Sequence, residues 1–98
     1  MGDAAITRER RPDQGRYVAK VEGIDEVAEL TFSKANPRLI IADHTEVPGA
    51  LRGRELGLAL ATRLVEDARA GGVKIIPLCP YVNAERRKHP EWADAFQT

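Results

Sequence analysis

The sequence predicts an α/β (α+β) domain: a mostly antiparallel mixed sheet with a central parallel pair of strands, flanked by one long helix and by short C-terminal helices. Three stretches carry that prediction. Ala28, Leu30 and Phe32 alternate with Glu29, Thr31 and Ser33, as in a strand with one buried and one wet face. Leu39 to Ala42 is apolar on both faces, which places that strand inside the sheet with layers on both sides. A helical stripe then separates it from a second apolar run, VKIIPL at 73–78. That order is the pattern of a parallel pair joined by a right-handed crossover.

A chain of 98 residues supports one hydrophobic core and buries roughly 60–65% of its unfolded surface. Fifteen Lys and Arg balance fifteen Asp and Glu, so no overall field recruits nucleic acid or an anionic membrane, and any basic site has to be local. No apolar run approaches the roughly 20 residues of a membrane helix. Cys79 is the only cysteine. No internal disulfide or multi-cysteine metal site can form, and a reducing, cytoplasmic setting without a metal is expected.

Taken in order, residues 1–15 (MGDAAITRERRPDQG) are polar, mixed in charge and without an apolar signal core, and are read as a flexible leader; residues 16–98 form the single domain. Tyr17, Ala19 and Val21 alternate with Val18 and Lys20 in a first strand that turns at Gly23. The second strand, through Ser33, closes at Asn36 and Pro37. The third starts at Leu39. Toward its end His44 and Glu46 share a face with Ile40 and Ala42 unless a bulge resets the parity. From about Glu55 to Ala70, Gly57, Leu60, Ala61, Leu64, Val65 and Ala68 form an apolar stripe opposite Thr62, Arg63, Glu66 and Arg69. Gly57 lies within the stripe, which implies close packing of helix on sheet. Gly71 and Gly72 stop the helix. The fourth strand runs from Val73 to Leu78, and Pro77 removes one ladder donor where it leaves its neighbour. Pro90 opens a last small helix with Trp92 and Phe96.

The stretch His44 to Leu60, HTEVPGALRGRELGLAL, reads as strand end, turn, loop and helix start. Such a junction suits an anion. Amides in the first helical turn have no partner within the helix, the helix dipole puts partial positive charge there, and glycine admits a phosphate. Arg52 and Arg54 add full charges. Each candidate also has a plainer reading. Arg52 and Arg54 suit solvated loop positions, Cys79 a small buried hydrophobe and His44 a satisfied core histidine, while Trp92 and Phe96 suit core plugs.

Three segments, HTEVPGALRGRELGLAL, KIIPLCPYV (Lys74 to Val82) and HPEW (His89 to Trp92), in that order and spacing, resemble the small members of the GNAT N-acetyltransferase superfamily over about Arg16 to Trp92. The resemblance implies an acetyl-CoA-binding domain. In the family loop, Q/R-x-x-G-x-G/A, Arg52 takes the opening position, Gly53 and Arg54 the variable ones and Gly57 the last. Glu55 stands where the first glycine is expected, putting a carboxylate beside a diphosphate. The resemblance also places Val47, at the strand end, and Leu56 and Asn83 beside the cofactor.

The chemistry such a site performs is attack of a neutral amine on a thioester, with a donor for the oxyanion and a proton for the departing thiolate. The candidate catalytic residues are Cys79, as a transient acyl carrier or an assistant near the sulfur, His44, which would promote its thiolate, and His44 or Glu46 as base. Larger family members place a tyrosine after the asparagine of the following helix; none follows Asn83 here, so that role is vacant or falls to Tyr81 or His89. Family helices that wall the acceptor site are also missing, since the connection at Glu22 to Asp25 is a tight turn. The expected acceptor is an amine of a small molecule or a protein lysine or N-terminus, and the expected state a monomer or weak homodimer. The competing functions are a non-catalytic acyl-CoA sensor or adaptor, and an interaction domain whose loop binds another phosphate.

Overall fold

The computed structural model describes residues 4–98. Period-two alternation builds four successive antiparallel strands, β1 (Ala4–Arg10), β2 (Gln14–Val21), β3 (Val27–Asn36) and β4 (Leu39–Glu46). A 3-10 turn at Gly49–Leu51 leads into helix α1 (Leu56–Gly71), and strand β5 (Lys74–Pro77) returns parallel to β4. Helix α2 (Pro80–Lys88) and a 3-10 segment (Pro90–Ala95) complete the chain.

The α+β class is as expected, and three details differ from the expectations above. Of the stretch read as a leader, the described part from residue 4 is ordered into the sheet: Ala4 to Arg10 is an edge strand, registered from Ala4↔Val21 to Arg10↔Gly15. An edge strand carries charge without penalty, which is why its sequence reads as polar; Ala4 and Ile6 alone lean on the core. Met1 to Asp3 lie outside the described residues. Second, the strand order is β1-β2-β3-β4-β5, so the parallel pair sits at one margin rather than the centre. Strand β5 has four residues, and beyond it only the Ile75↔Phe96 bridge and the Gln97 amide on the Ile75 carbonyl continue the pairing. Third, and for the same reason, Leu39, Ile40 and Ile41 are half-buried rather than enclosed between two layers.

The stripe on α1 is buried as the sequence requires, with Leu56 added at its start. Leu60, Ala61 and Leu64 are fully buried, and the helix packs on β2, β3 and β5. It ends in a Schellman motif: Gly72 is left-handed at φ 68°, the Val73 amide bonds the Ala68 carbonyl and the Gly72 amide that of Arg69. At the β3–β4 hairpin the Arg38 amide donates to Asn36 Oδ1 at 2.8 Å, the turn chemistry Asn-Pro announces.

Tyr17 anchors the far end of the helix to the sheet. Its hydroxyl donates to Asp67 Oδ2 at 2.8 Å, and Arg8 and Arg63 close on the same carboxylate. Burial, reinforced by Asp67, pushes the phenol up to about 12. Unfolded, a tyrosine releases its proton near pH 10. Between there and 12 the folded state therefore holds the extra proton, and stability falls as pH rises. Urea midpoints measured across that window will decline, and the decline will be shallower in Tyr17→Phe; an equal slope in both proteins contradicts this account.

Candidate functional site

The junction of strand end, loop and helix start is present, and its unused amides are a different set from the simple expectation. The Leu51 and Arg52 amides are spent within the 3-10 turn, on the Pro48 and Gly49 carbonyls at 2.9 and 3.2 Å. The amides of Gly53, Glu55, Leu56, Gly57 and Leu58 donate to no acceptor among the described residues, and the first helical bond into this turn is Ala59 N–H to the Glu55 carbonyl. Gly53 has φ 85° and Glu55 lies in the left-handed region at φ 57°, ψ 33°. Left-handed and right-handed residues in succession turn their N–H groups toward a common point, a concavity for an anion.

Glu55 also explains the family glycine. A residue with a Cβ gives up roughly 1 kcal/mol to hold this conformation, whereas glycine does not. The carboxylate at 55 thus occupies a place that backbone geometry reserves for glycine; it is solvent-exposed, as are Arg52, Gly53 and Arg54 around it.

The nearest neighbours of a side chain at Gly57 come from α2. A Cβ there would stand 2.9 Å from Tyr81 Cζ and 3.0 Å from the Tyr81 hydroxyl, so the missing side chain makes room for the Tyr81 ring from α2. Tyr81 is half-buried, and burial followed by the charge and hydrogen bonding of Glu85 pushes its hydroxyl up to about 12. Glu85, one turn on, is the one buried charged side chain among the described residues. His89 Nε2 lies 3.5 Å from Glu85 Oε1 and Lys88 Nζ 3.6 Å from Oε2; His89 Nδ1 is 3.0 Å from Glu91 and its ring stacks on Trp92 at 4.2 Å. Trp92 and Phe96 belong to the core.

Strand β5 pairs β4 only from Leu39 to Ala42, after which the Cys79 amide bonds the Ala42 carbonyl at 2.8 Å and the chain turns away into α2. Residues Asp43 to Glu46 therefore continue without a β5 partner. Within this stretch Thr31 pairs with His44 but Phe32 with Ala42, so Asp43 is an extra residue, a bulge. It resets the parity. Thr45 turns to the core face with Leu30, and its Oγ1 lies 3.3 Å from Cys79 Sγ. His44 and Glu46 turn to the opposite, exposed face with Thr31 and Glu29. The expected His44–Cys79 partnership is thus replaced by Thr45–Cys79. Cys79 is 1% exposed and packs in the core.

Val47 packs against the core edge, and Asn83 Oδ1 accepts from Arg86 Nε at 2.8 Å. The structure brings Arg52 to Gly57, Tyr81, Cys79 and Thr45 to one end of the sheet and sends His44 and Glu46 to its other face. Sequence reasoning missed Thr45 and Glu85: the first depended on a bulge, while the i,i+4 spacing of Tyr81 and Glu85 was the available signal for the second. The described residues contain no group of three or more metal-ligating side chains.

Comparison with solved structures finds the NMR solution structure of a GCN5-like candidate N-acetyltransferase from Staphylococcus aureus, 25% identical, with a TM-score of 0.74 over 99% of this chain and 91% of that one. Comparison with curated proteins finds no match. The family model for GCN5-related N-acetyl-transferases matches residues 16–95, which holds both the amide concavity and the strand margin at Cys79. With most of its length matched, the chain belongs to the GCN5-related N-acetyltransferase family.

Proposed function

We propose that this protein binds acetyl-CoA at the start of α1 and transfers the acetyl group to an amine. The observation that carries this reading is the run of undonated amides at Gly53 and Glu55 to Leu58, aimed from a loop that also bears Arg52 and Arg54. Those residues hold the diphosphate, while Val47 and Asn83 border the rest of the cofactor. Where β4 outruns β5, a strand-end amide near Glu46 or Val47 serves as the donor to the developing oxyanion.

In this reading Tyr81 protonates the departing sulfur. Its ring covers the helix start at Gly57, and the hydroxyl, protonated at neutral pH as any phenol is, has a proton to give. In the transfer the amine nitrogen bonds the acetyl carbon, the carbon–sulfur bond breaks, the amine loses a proton to water, since His44 and Glu46 lie on the other face of the sheet, and the sulfur takes one from Tyr81. Burial of the Cys79 thiol favours this direct route. A second route, through S-acetyl-Cys79, is favoured only by the position of that thiol where the two strands separate. The acceptor is an amine of a small molecule or a protein, the setting cytoplasmic, and the state monomeric or weakly dimeric, with neither nucleic acid nor membrane as partner. No described helix is long and apolar enough to cross a membrane.

The competing reading is an acyl-CoA sensor, favoured by the carboxylate at 55 and by the β2–β3 connection, a tight turn closed by the Ile24 amide on the Val21 carbonyl. A thermal-shift panel separates these functions. Acetyl-CoA, and not ATP, will raise the melting temperature, and Arg52→Ala will weaken binding by about 1–3 kcal/mol. Mass spectrometry with an amine panel then shows an acetylated amine for the enzyme and none for the sensor. No shift with any CoA ester removes both.

Glu55 yields a paired prediction. Glu55→Gln removes only the charge and will tighten CoA binding without raising stability. Glu55→Gly also relieves the left-handed strain and will add up to about 1 kcal/mol of stability, measured by urea unfolding. Unchanged affinity in both variants would show that the carboxylate does not face the ligand.

A further inference from the structure

Thr45 carries a hydroxyl that packing does not require. On β4 it registers with Leu30, whose side chain is fully buried, and it is itself half-buried on that core face. Valine has the same shape and would fill this position without the cost of taking a hydroxyl out of water. Elsewhere among the described residues, threonine hydroxyls donate to backbone carbonyls, Thr31 to that of His44 and Thr62 to that of Leu58. Thr45 Oγ1 meets a sulfur instead, Cys79 Sγ at 3.3 Å. A thiol is a weak donor and a weak acceptor, so this contact leaves most of the hydroxyl's hydrogen-bonding capacity unused.

Its place in the sheet gives that capacity a use. Pairing of β5 with β4 ends at Ala42↔Pro77, and Thr45 stands in the part of β4 beyond it. Of the other groups at this margin, the Cys79 amide is spent on the Ala42 carbonyl, His44 and Glu46 face the other side of the sheet, and Tyr81 covers Gly57. Thr45 directly precedes Glu46 and Val47, whose amides are the strand-end donors to the developing oxyanion. The Asp43 bulge puts it there: without the extra residue, this face would carry His44.

We propose that the Thr45 hydroxyl is a catalytic donor to the thioester oxygen, sharing that task with the strand-end amide; the assignment rests on acetyl-CoA binding at the start of α1. The Cys79 thiol donates to Thr45 Oγ1, which leaves the hydroxyl hydrogen for the ligand, since a hydroxyl donates once and accepts twice. As the amine nitrogen bonds the carbonyl carbon, the π pair moves onto oxygen and the hydrogen bond from Thr45 strengthens without transfer of its proton. When the carbon–sulfur bond breaks, the pair returns to the carbonyl. A neutral carbonyl gains little from such a donor and an oxyanion gains much, so the hydroxyl acts on the rate and not on cofactor affinity. The buried thiol thereby has a role that needs neither exposure nor ionisation.

Acetyl-CoA isotope-labelled at its thioester carbonyl, bound to the whole protein and read by infrared difference spectroscopy, tests the hydrogen bond without any acceptor. The carbonyl band will lie at higher frequency in Thr45→Val and Thr45→Ala than in wild type, and will return in Thr45→Ser, which keeps the hydroxyl. Turnover with hydroxylamine as the amine, followed by release of CoA thiol, will fall about 10²-fold in Thr45→Val while acetyl-CoA affinity stays within about 3-fold, and Thr45→Ser will recover most of the rate. A purely packing role predicts the reverse order, because valine keeps the shape that serine loses. A wild-type band and rate in both hydroxyl-free variants overturns the proposal and leaves acetyl-CoA binding standing. Loss of affinity in step with rate also overturns it, as the mark of a misshapen site. A wild-type protein with no thermal shift on acetyl-CoA overturns the acyl-CoA reading itself, and this assignment with it.

Discussion

Gly57→Val will lose about 1–3 kcal/mol of stability and abolish the thermal response to acetyl-CoA. Two effects compete. Valine is a better helix residue than glycine, worth about 0.3–0.5 kcal/mol here. Against it, even the first carbon of the new side chain would sit 2.9 Å from Tyr81 Cζ, and the two γ-methyls need further room at a buried position. Overpacking wins. The ring is half-buried, so it will swing outward rather than unfold the domain, and α2 will lose its contact with the start of α1. Gly57→Ala separates the two: the helix gain of about 1 kcal/mol offsets a smaller displacement, so stability stays near wild type while transfer falls. Urea unfolding and an acetyl-CoA thermal shift check both variants. A Gly57→Val protein that is as stable and as responsive as wild type would mean that the Tyr81 ring does not cover this glycine.

Tyr81→Phe will leave acetyl-CoA affinity nearly unchanged and lower the rate of amine acetylation about 10²-fold or more, the usual scale for loss of a positioned acid. The hydroxyl is removed while the ring still fills the space over Gly57. Release of CoA thiol, followed with a chromogenic disulfide, gives the rate. Its pH dependence supplies a second check. Because burial and Glu85 hold the hydroxyl near 12, wild-type transfer will not decline between pH 8 and 10 through this group, whereas an ordinary phenol would begin to fail there. A Tyr81→Phe enzyme with wild-type turnover would hand the proton to water or to Cys79, and the S-acetyl route through Cys79 would then become the stronger one.

The legible parts of the fold are those written in local periodicity. The stripe from Gly57 to Ala68, the glycine stop at 71 and 72, the Asn36 turn and the order of strand, helix and strand around the anion loop all follow from spacing within a few residues. The parts that were not legible depend on partners far along the chain. The strand Ala4–Arg10 reads as a leader because its charges are permissible only once it lies at a sheet edge, where Arg16 links Glu9 at 2.8 Å to Glu29 at 2.7 Å. Gly57 reads as a helix–sheet contact because its real neighbour, Tyr81, arrives from another helix.

Local pattern alone thus specified a one-core α+β domain, the position of the loop at the start of α1 and the residues that could bear charge there, because hydrophobic period and helix-start chemistry act over one or two turns. Which of those residues meet was left to long-range packing. One extra residue, Asp43, turns His44 away and presents Thr45 to Cys79; a left-handed backbone exposes Glu55; and helix packing seats Tyr81 on Gly57. The physical reason is that a strand's side chains alternate with a period of two, so a single-residue bulge reverses every assignment beyond it, and no local pattern announces where the neighbouring strand will require one.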